Sequence, residues 1–331
     1  MPWIKRSLFW LYVLSFPAFA VEDTQATSTG SVKNSEVPAQ SEDNEASKNV
    51  PILKEPEVPE PIAVRAKKAN GLIEQRAARE RATVDDPFVL TPHRPNYFLP
   101  FSFTHDPNDR ESQQGIENDN LQDIEFQFQF SVKFPVATSI AGENTTLWFA
   151  YTQRSFWQAY NSNASAPFRD TNYEPEAFIV TQPDLSFFGT KLTYLNYGIN
   201  HQSNGRQDPW SRSWNRLFLS FVFERENTVF AFRPWYRIPE SSDDDNPDIE
   251  RYLGYGDIQI AHVIDDVTYD VLLRNNLRSD NKGAIQLGVS FPLWGKVRGY
   301  AQYFEGYGQS MLDYDNYTRT LGLGFMLTGW L

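Results

Sequence analysis

Beyond residue 88, apolar and polar residues alternate with a period of two over most of the chain. The clearest stretch sets Ile124, Phe126, Phe128, Phe130, Val132 and Phe134 against Glu125, Gln127, Gln129, Ser131 and Lys133. A helix would scatter these residues around its axis, so the period implies a strand with one apolar and one polar face. A strand of a soluble sandwich alternates in the same way but usually stops at about 5 or 6 residues. This one continues to the length of a membrane-barrel strand.

Applied to the whole chain, the pattern predicts twelve strands: 96–105, 124–134, 146–157, 176–187, 190–201, 213–224, 228–238, 252–263, 267–276, 283–293, 296–305 and 318–331. An even number suits a single-chain bacterial barrel. Long and short connections alternate, with one exception at 135–145. Such barrels carry long loops outside and short turns on the periplasmic side, so the odd-numbered connections are expected to face outward. The last segment places Leu321, Leu323, Phe325, Leu327 and Leu331 on one face and runs to the final residue. The expected fold is all-β: a twelve-stranded antiparallel transmembrane β-barrel preceded by a disordered N-terminal segment.

Composition defines what precedes the barrel. The 331 residues are 40% hydrophobic, with a mean hydropathy of -0.51, which excludes a polytopic helical membrane protein. Lys5 and Arg6, the apolar run 8–16 and Ala18-Phe19-Ala20 read as a signal peptide over 1–20 rather than a membrane anchor. From Val21 to Pro87 there is no Phe, Tyr or Trp. Residues 21–87 are therefore expected to be a disordered acidic, Pro/Ser-rich segment, with room for a short helix at 71–82. The barrel domain occupies 88–331. The chain has no cysteine, so barrel closure in lipid takes the place of disulfides as a source of stability. A net charge of -12 speaks against a nucleic-acid partner, and no nucleotide or zinc motif is present.

The candidate chemistry follows from strand parity. In 190–201 and just beyond, Leu195, Tyr197, Ile199, His201 and Ser203 share one face, while Asn196 and Asn200 lie on the other. The next strand adds Asn215 beside Leu217, Leu219 and Phe221. A histidine, a serine and an amide thus converge on a lipid-facing wall, where unpaired polar groups are costly. Mutual hydrogen bonding would relieve that cost, and hydroxyl, imidazole and orienting group together form the arrangement of nucleophilic acyl transfer. A polar collar at the membrane interface is the alternative. Gln153 shares a face with Leu147, Phe149 and Tyr151. An amide in that position either pairs across a subunit interface or reaches interfacial water. The acidic run Asp243-Asp244-Asp245 lacks the Gly and spaced Glu of an EF-hand and on its own reads as a solvated loop. His93, His105 and His262 have no evident partners and read as structural.

The run His201-Gln202-Ser203-Asn204-Gly205-Arg206, with Asp208-Pro209 and Ser211-Arg212-Ser213-Trp214-Asn215-Arg216, resembles the signature of bacterial outer-membrane phospholipase A. Pro167-Phe168-Arg169, Thr171 to Pro175, Pro234-Trp235-Tyr236, Asp245 to Ile249 and Gly306-Tyr307-Gly308 extend the resemblance across about 95–331. The acidic segment 21–87 carries no such matches and is longer than the family requires. The resemblance implies Ser203 as nucleophile, His201 as general base, Asn215 as its orienting partner and the Gly205 N–H as an oxyanion donor. It implies Ca2+ held by the Arg206 carbonyl, Ser211 and Ser165 of the partner subunit, with Asp208 and Asp245 at a second, monomer-type calcium site. It also implies a homodimer through Gln153, and hydrolysis of sn-1 and sn-2 acyl esters of phospholipids and lysophospholipids in the outer leaflet of the bacterial outer membrane. A non-enzymatic channel or structural barrel, its lumen closed by pairing among Glu125, Lys133, Arg216 and Glu224, is the competing expectation.

Overall fold

The structure, a computed structural model, describes residues 71–81, 90–105, 107–108, 121–142, 145–183, 185–240, 244–329 and 331. The expected leader (1–20) and, apart from 71–81, the expected disordered segment (21–87) lie outside the described residues. Helix α1 (Leu72–Arg81) is present where the sequence left room for one.

Twelve long strands follow: β1 Asn96–His105, β2 Ile124–Thr138, β3 Thr145–Trp157, β4 Phe168–Thr181, β5 Thr190–Ser203, β6 Ser213–Arg225, β7 Thr228–Ile238, β8 Gly256–Ile264, β9 Val267–Asn275, β10 Gly283–Trp294, β11 Val297–Tyr307 and β12 Tyr317–Thr328. Each pairs antiparallel with its neighbour in the chain, and β12 returns to β1 with Leu321 opposite Phe103, closing the barrel. Closure leaves no sheet edge, so the strand hydrogen bonds are satisfied within the wall, as a chain in hydrocarbon requires. Two short pieces join it: Thr91–Pro92 pairs with β2, and Leu185–Phe187 with the start of β5.

The fourth strand ends at Thr181 rather than 187 and the last at Thr328 rather than 331. Three further boundaries differ from the sequence pattern, each for a physical reason. β2 continues past Pro135 through an irregularity between Pro135 and Ala137, shrinking the anomalous connection to 139–144. A bulge accommodates a residue that cannot donate to the ladder. β4 begins at Phe168 rather than 176, because Arg169, Asp170, Asn172 and Glu174 are buried polar residues of a strand, not loop residues. Residues 249–253, partly taken as the start of β8, form helix α2 (Ile249–Leu253).

Outward residues such as Phe101, Phe103, Ile199, Leu217, Phe232 and Leu321 are exposed and form an apolar belt suited to lipid. The interior is polar and densely paired. Arg94 grips Glu174 at 2.7 and 2.9 Å and reaches Glu176 at 2.7 Å. Arg169 holds Glu125 at 2.6 and 3.0 Å and also binds Asp313. Arg216 meets Glu174 at 3.1 Å, and Arg233 meets Asp257 at 2.8 Å. The four residues expected to pair among themselves are thus engaged elsewhere: Lys133 with Glu80 of α1 at 2.9 Å, and Glu224 with the Ile73 N–H at 3.1 Å. Burying charge is tolerable when each one is paired and hydrogen-bonded.

Ile73 of α1 packs against Val222, Val229 and Ala231, near the short-turn end of β6 and β7. Ile249 and Leu253 of α2 share a buried cluster with Met311, Tyr314, Trp214 and Trp235. An internal cavity of about 270 Å³, lined in part by Arg154, Asp257, Asp270 and Arg274, remains within the barrel.

Candidate active site

β5 and β6 are adjacent, with His201 opposite Asn215 and Ser203 opposite Ser213. The residues between them fix the facing. The Gln202 oxygen accepts from the Trp214 indole at 2.9 Å and from Arg216 at 3.2 Å, and Asn200 donates to Glu174 at 2.7 Å. Gln202 and Asn200 therefore point inward, and a period of two turns His201 and Ser203 to the outer wall. Asn215, between the buried Trp214 and Arg216, faces outward too, beside the exposed Leu217.

His201 Nδ1 and Asn215 Oδ1 are 2.9 Å apart, and Asn215 Nδ2 donates to Glu240 Oε1 at 3.1 Å. A carboxylate oxygen only accepts, so Glu240 selects the amide nitrogen and leaves the amide oxygen for the histidine. That oxygen also only accepts, so the imidazole proton sits on Nδ1 and Nε2 keeps a free lone pair. Of the two hydrogen bonds expected to link the three side chains, the structure forms one, between His201 and Asn215. Ser203 Oγ makes no hydrogen bond to His201, whose Nδ1 is engaged by Asn215.

The loop after Ser203 is built around buried Asn204. Its oxygen accepts from Arg206 N at 3.3 Å and Arg212 N at 3.0 Å, while its amide donates to the Trp210 carbonyl at 2.9 Å. Gly205 takes a φ of +64°, and a Cβ there would lie 3.0 Å from the Tyr173 ring. Glycine is the residue that adopts this conformation without steric cost. The Arg206 guanidinium turns back to the carbonyls of Phe168 and Arg169. Burial presses that guanidinium below its ordinary range, with Asp170 opposing the shift.

A second loop docks onto the head of β6. Asn246 is fully buried, and its oxygen accepts from Ser213 N at 2.8 Å. Arg237 holds both oxygens of Asp244 at 2.7 Å. Among the described residues, Asp208 and Asp245 make no hydrogen bond or ion pair, nor do the Arg206 carbonyl and the Ser211 hydroxyl accept one; Asp243 lies outside them. These free hard oxygens suit calcium in donor chemistry. No three His, Cys, Asp or Glu residues gather in metal-binding geometry among the described residues, so carbonyl and hydroxyl oxygens would have to contribute. Ser165 is exposed in the loop between β3 and β4, at a φ of +59°.

Gln153 is not left alone on the wall. Tyr151 donates to its oxygen at 3.3 Å, and its amide donates to Ser155 at 3.2 Å. Two of the histidines for which the sequence named no partner have one: His93 contacts Glu176 at 2.9 Å, and His262 contacts Thr228 at 2.8 Å. Sequence reasoning missed Asn204, Asn246 and Glu240. Ser-Asn-Gly and Asp-Asn-Pro are turn signals that point to the first two, whereas nothing local singles out Glu240.

The family model for phospholipase A1 matches residues 73–327. Phospholipase A1 of Klebsiella pneumoniae is 40% identical over 243 residues, spanning 73% of this chain and 84% of that protein. Among solved structures, outer membrane phospholipase A from Escherichia coli, in an active-site variant with an asparagine changed to alanine, aligns with a TM-score of 0.71 and 38% identity. The alignment covers 75% of this chain and 95% of that one. The Salmonella typhi outer membrane phospholipase dimer with bound calcium aligns with a TM-score of 0.71 and 37% identity, over 74% and 94% of the two chains.

Proposed function

The chain belongs to the phospholipase A1 family of ester-hydrolysing enzymes, and on that premise we propose that Ser203, His201 and Asn215 perform the hydrolysis on the outer wall of an outer-membrane barrel. The observation that carries this reading is the outward-facing His201–Asn215 bond of 2.9 Å beside Ser203. Further support comes from the solved relative, in which an asparagine is an active-site residue.

Substrate arrives laterally in the outer leaflet of the membrane. His201 Nε2 takes the proton of the Ser203 hydroxyl as its oxygen attacks the ester carbonyl carbon. The Gly205 N–H donates to the oxygen that becomes negative. Collapse of the tetrahedral species expels the lysophospholipid (or glycerophospho-) alkoxide, which recovers the proton from His201. Water, deprotonated by the same nitrogen, then releases the fatty acid and frees Ser203. Asn215 keeps the imidazole in the required tautomer throughout.

The Arg206 carbonyl, the Ser211 hydroxyl and Ser165 of the partner subunit would hold calcium, with Asp208 and Asp245 at a second position. When bound, the ion supplies positive charge that polarises the ester carbonyl. One barrel wall offers acyl chains no pocket, so two copies meeting near Gln153 would complete the site. Gln153 would exchange its bonds to Tyr151 and Ser155 for bonds across the interface. The calcium-bound dimer of the Salmonella relative supports both points. Ion pairs, α1 and the 308–316 loop fill much of the interior and leave a cavity of about 270 Å³, which weighs against the rival channel reading.

The test is fatty-acid release from phospholipid micelles by the detergent-solubilised barrel, with calcium and with chelator. Release is expected with calcium and is lost in Ser203→Ala while the barrel stays folded. Equal release from that variant would defeat the proposal.

A further inference from the structure

We infer that Glu240 is a positioning residue for the catalytic site, a carboxylate that sets the Asn215 amide from behind; this deepens the reading above and rests on it. Glu240 stands two residues beyond Ile238, which pairs with Asn215 across β6 and β7. The register therefore delivers its side chain to the back of the amide, where Oε1 accepts from Nδ2 at 3.1 Å.

The need for such an acceptor follows from the chemistry of an amide. Asparagine, unlike aspartate, has two different ends, and a half-turn of the side chain exchanges them. With the oxygen toward His201, the imidazole is protonated on Nδ1 and Nε2 can accept the serine proton. With the nitrogen toward His201, the proton moves to Nε2 and the base is lost. Beside His201, the neighbours of Asn215 on its own face include the exposed apolar Leu217 and Ile238, which cannot discriminate between the two orientations. Ser213, also on that face, carries a hydroxyl that both donates and accepts, so it does not discriminate either. Glu240 does, because it can only accept. The linked bonds also polarise one another, so the carboxylate strengthens the hold on the imidazolium from one link away. A half-buried position at the loop end lets the charge sit toward water instead of against hydrocarbon.

The experiment compares the full-length barrel with Ser203→Ala, Glu240→Ala, Glu240→Gln, Asn215→Ala and the Asn215→Ala/Glu240→Ala double variant. Each is assayed on phospholipid micelles with calcium, after gel mobility with and without heating has verified the folded barrel. Glu240→Ala is expected to lower kcat about ten-fold with KM little changed. Glu240→Gln, whose amide can turn either its oxygen or its nitrogen to Asn215, should regain only part of that loss. In the Asn215→Ala background, removing Glu240 should cost nothing further, since it acts through that amide. Should the alanine variant not fold, Glu240→Ser carries the same expectations. The inference is overturned if Glu240→Ala matches wild type, if its cost persists undiminished without Asn215, or if its main effect is a higher calcium requirement. A wild-type protein without hydrolysis, or an active Ser203→Ala, overturns the catalytic reading itself and is distinguishable from all of these.

Discussion

At the scale of single residues, the site depends on which groups can only accept and which can only donate. An Asp in place of Asn215 would set a carboxylate next to lipid, where an unneutralised charge is costly. The amide avoids that charge but needs Glu240 to settle its direction. Gly205 is constrained just as tightly, through its backbone. Gly205→Ala would place a left-handed L-residue at a φ of +64° and a methyl 3.0 Å from Tyr173. The conformational cost is about 1–2 kcal/mol, so the loop should relax and carry its N–H away from the oxyanion position. Expected is a fall in kcat of about ten-fold with the barrel still folded, read from steady-state fatty-acid release. Wild-type kcat would mean that this N–H is not an oxyanion donor.

Elements position these residues. The 204–212 loop folds on Asn204, and the 239–248 loop is tied to β6 by Asn246, so both arrive at the same strand end. At the opposite end, α1 closes against β2, β6 and β7 through Lys133, Glu224 and an apolar patch. Glu224 serves as the acceptor that the first turn of a helix lacks on its own. Glu224→Ala is expected to weaken α1 by about 1 kcal/mol, seen as faster trypsin cleavage at Arg76 or Arg79 while the barrel strands stay protected. Unchanged cleavage would show that Ile73 and Lys133 hold the helix without this cap.

Across the whole molecule, the external mouth is bound to the wall by one buried network. Asp313 of the 308–316 loop is held by Arg169, by Asn108 at 2.8 Å and by Ser310 at 2.9 Å. Burial would raise its carboxyl pKa, but Arg169 and these donors outweigh burial and keep it below the ordinary 3.8. A carboxyl depressed on folding stabilises the native state fully above its unfolded value, and that contribution fades as pH falls through the folded one. Thermal denaturation followed from pH 6 down to about 2 should thus show stability falling below about pH 4, and Asp313→Asn should flatten that fall. A variant as acid-sensitive as wild type would place the titration elsewhere.

The period of two and the turn chemistry fixed the twelve-strand count, most boundaries and the outward parity of His201, Ser203 and Asn215, because a pleated strand in lipid leaves little choice of face. Strand β4 escaped that logic: its inward residues are Arg169, Asp170, Asn172 and Glu174, and charges read as loop until their partners across the barrel are known. The outward parity of Gln153 was legible in the same way, but its bonds to Tyr151 and Ser155 were not. Only the tertiary structure could bring Glu240 to Asn215, or α1 to Lys133 and Glu224, because sequence patterns report a residue's own face and period. Which distant group fills an unmet hydrogen bond is decided by strand register and closure, and those exist only once the barrel has formed.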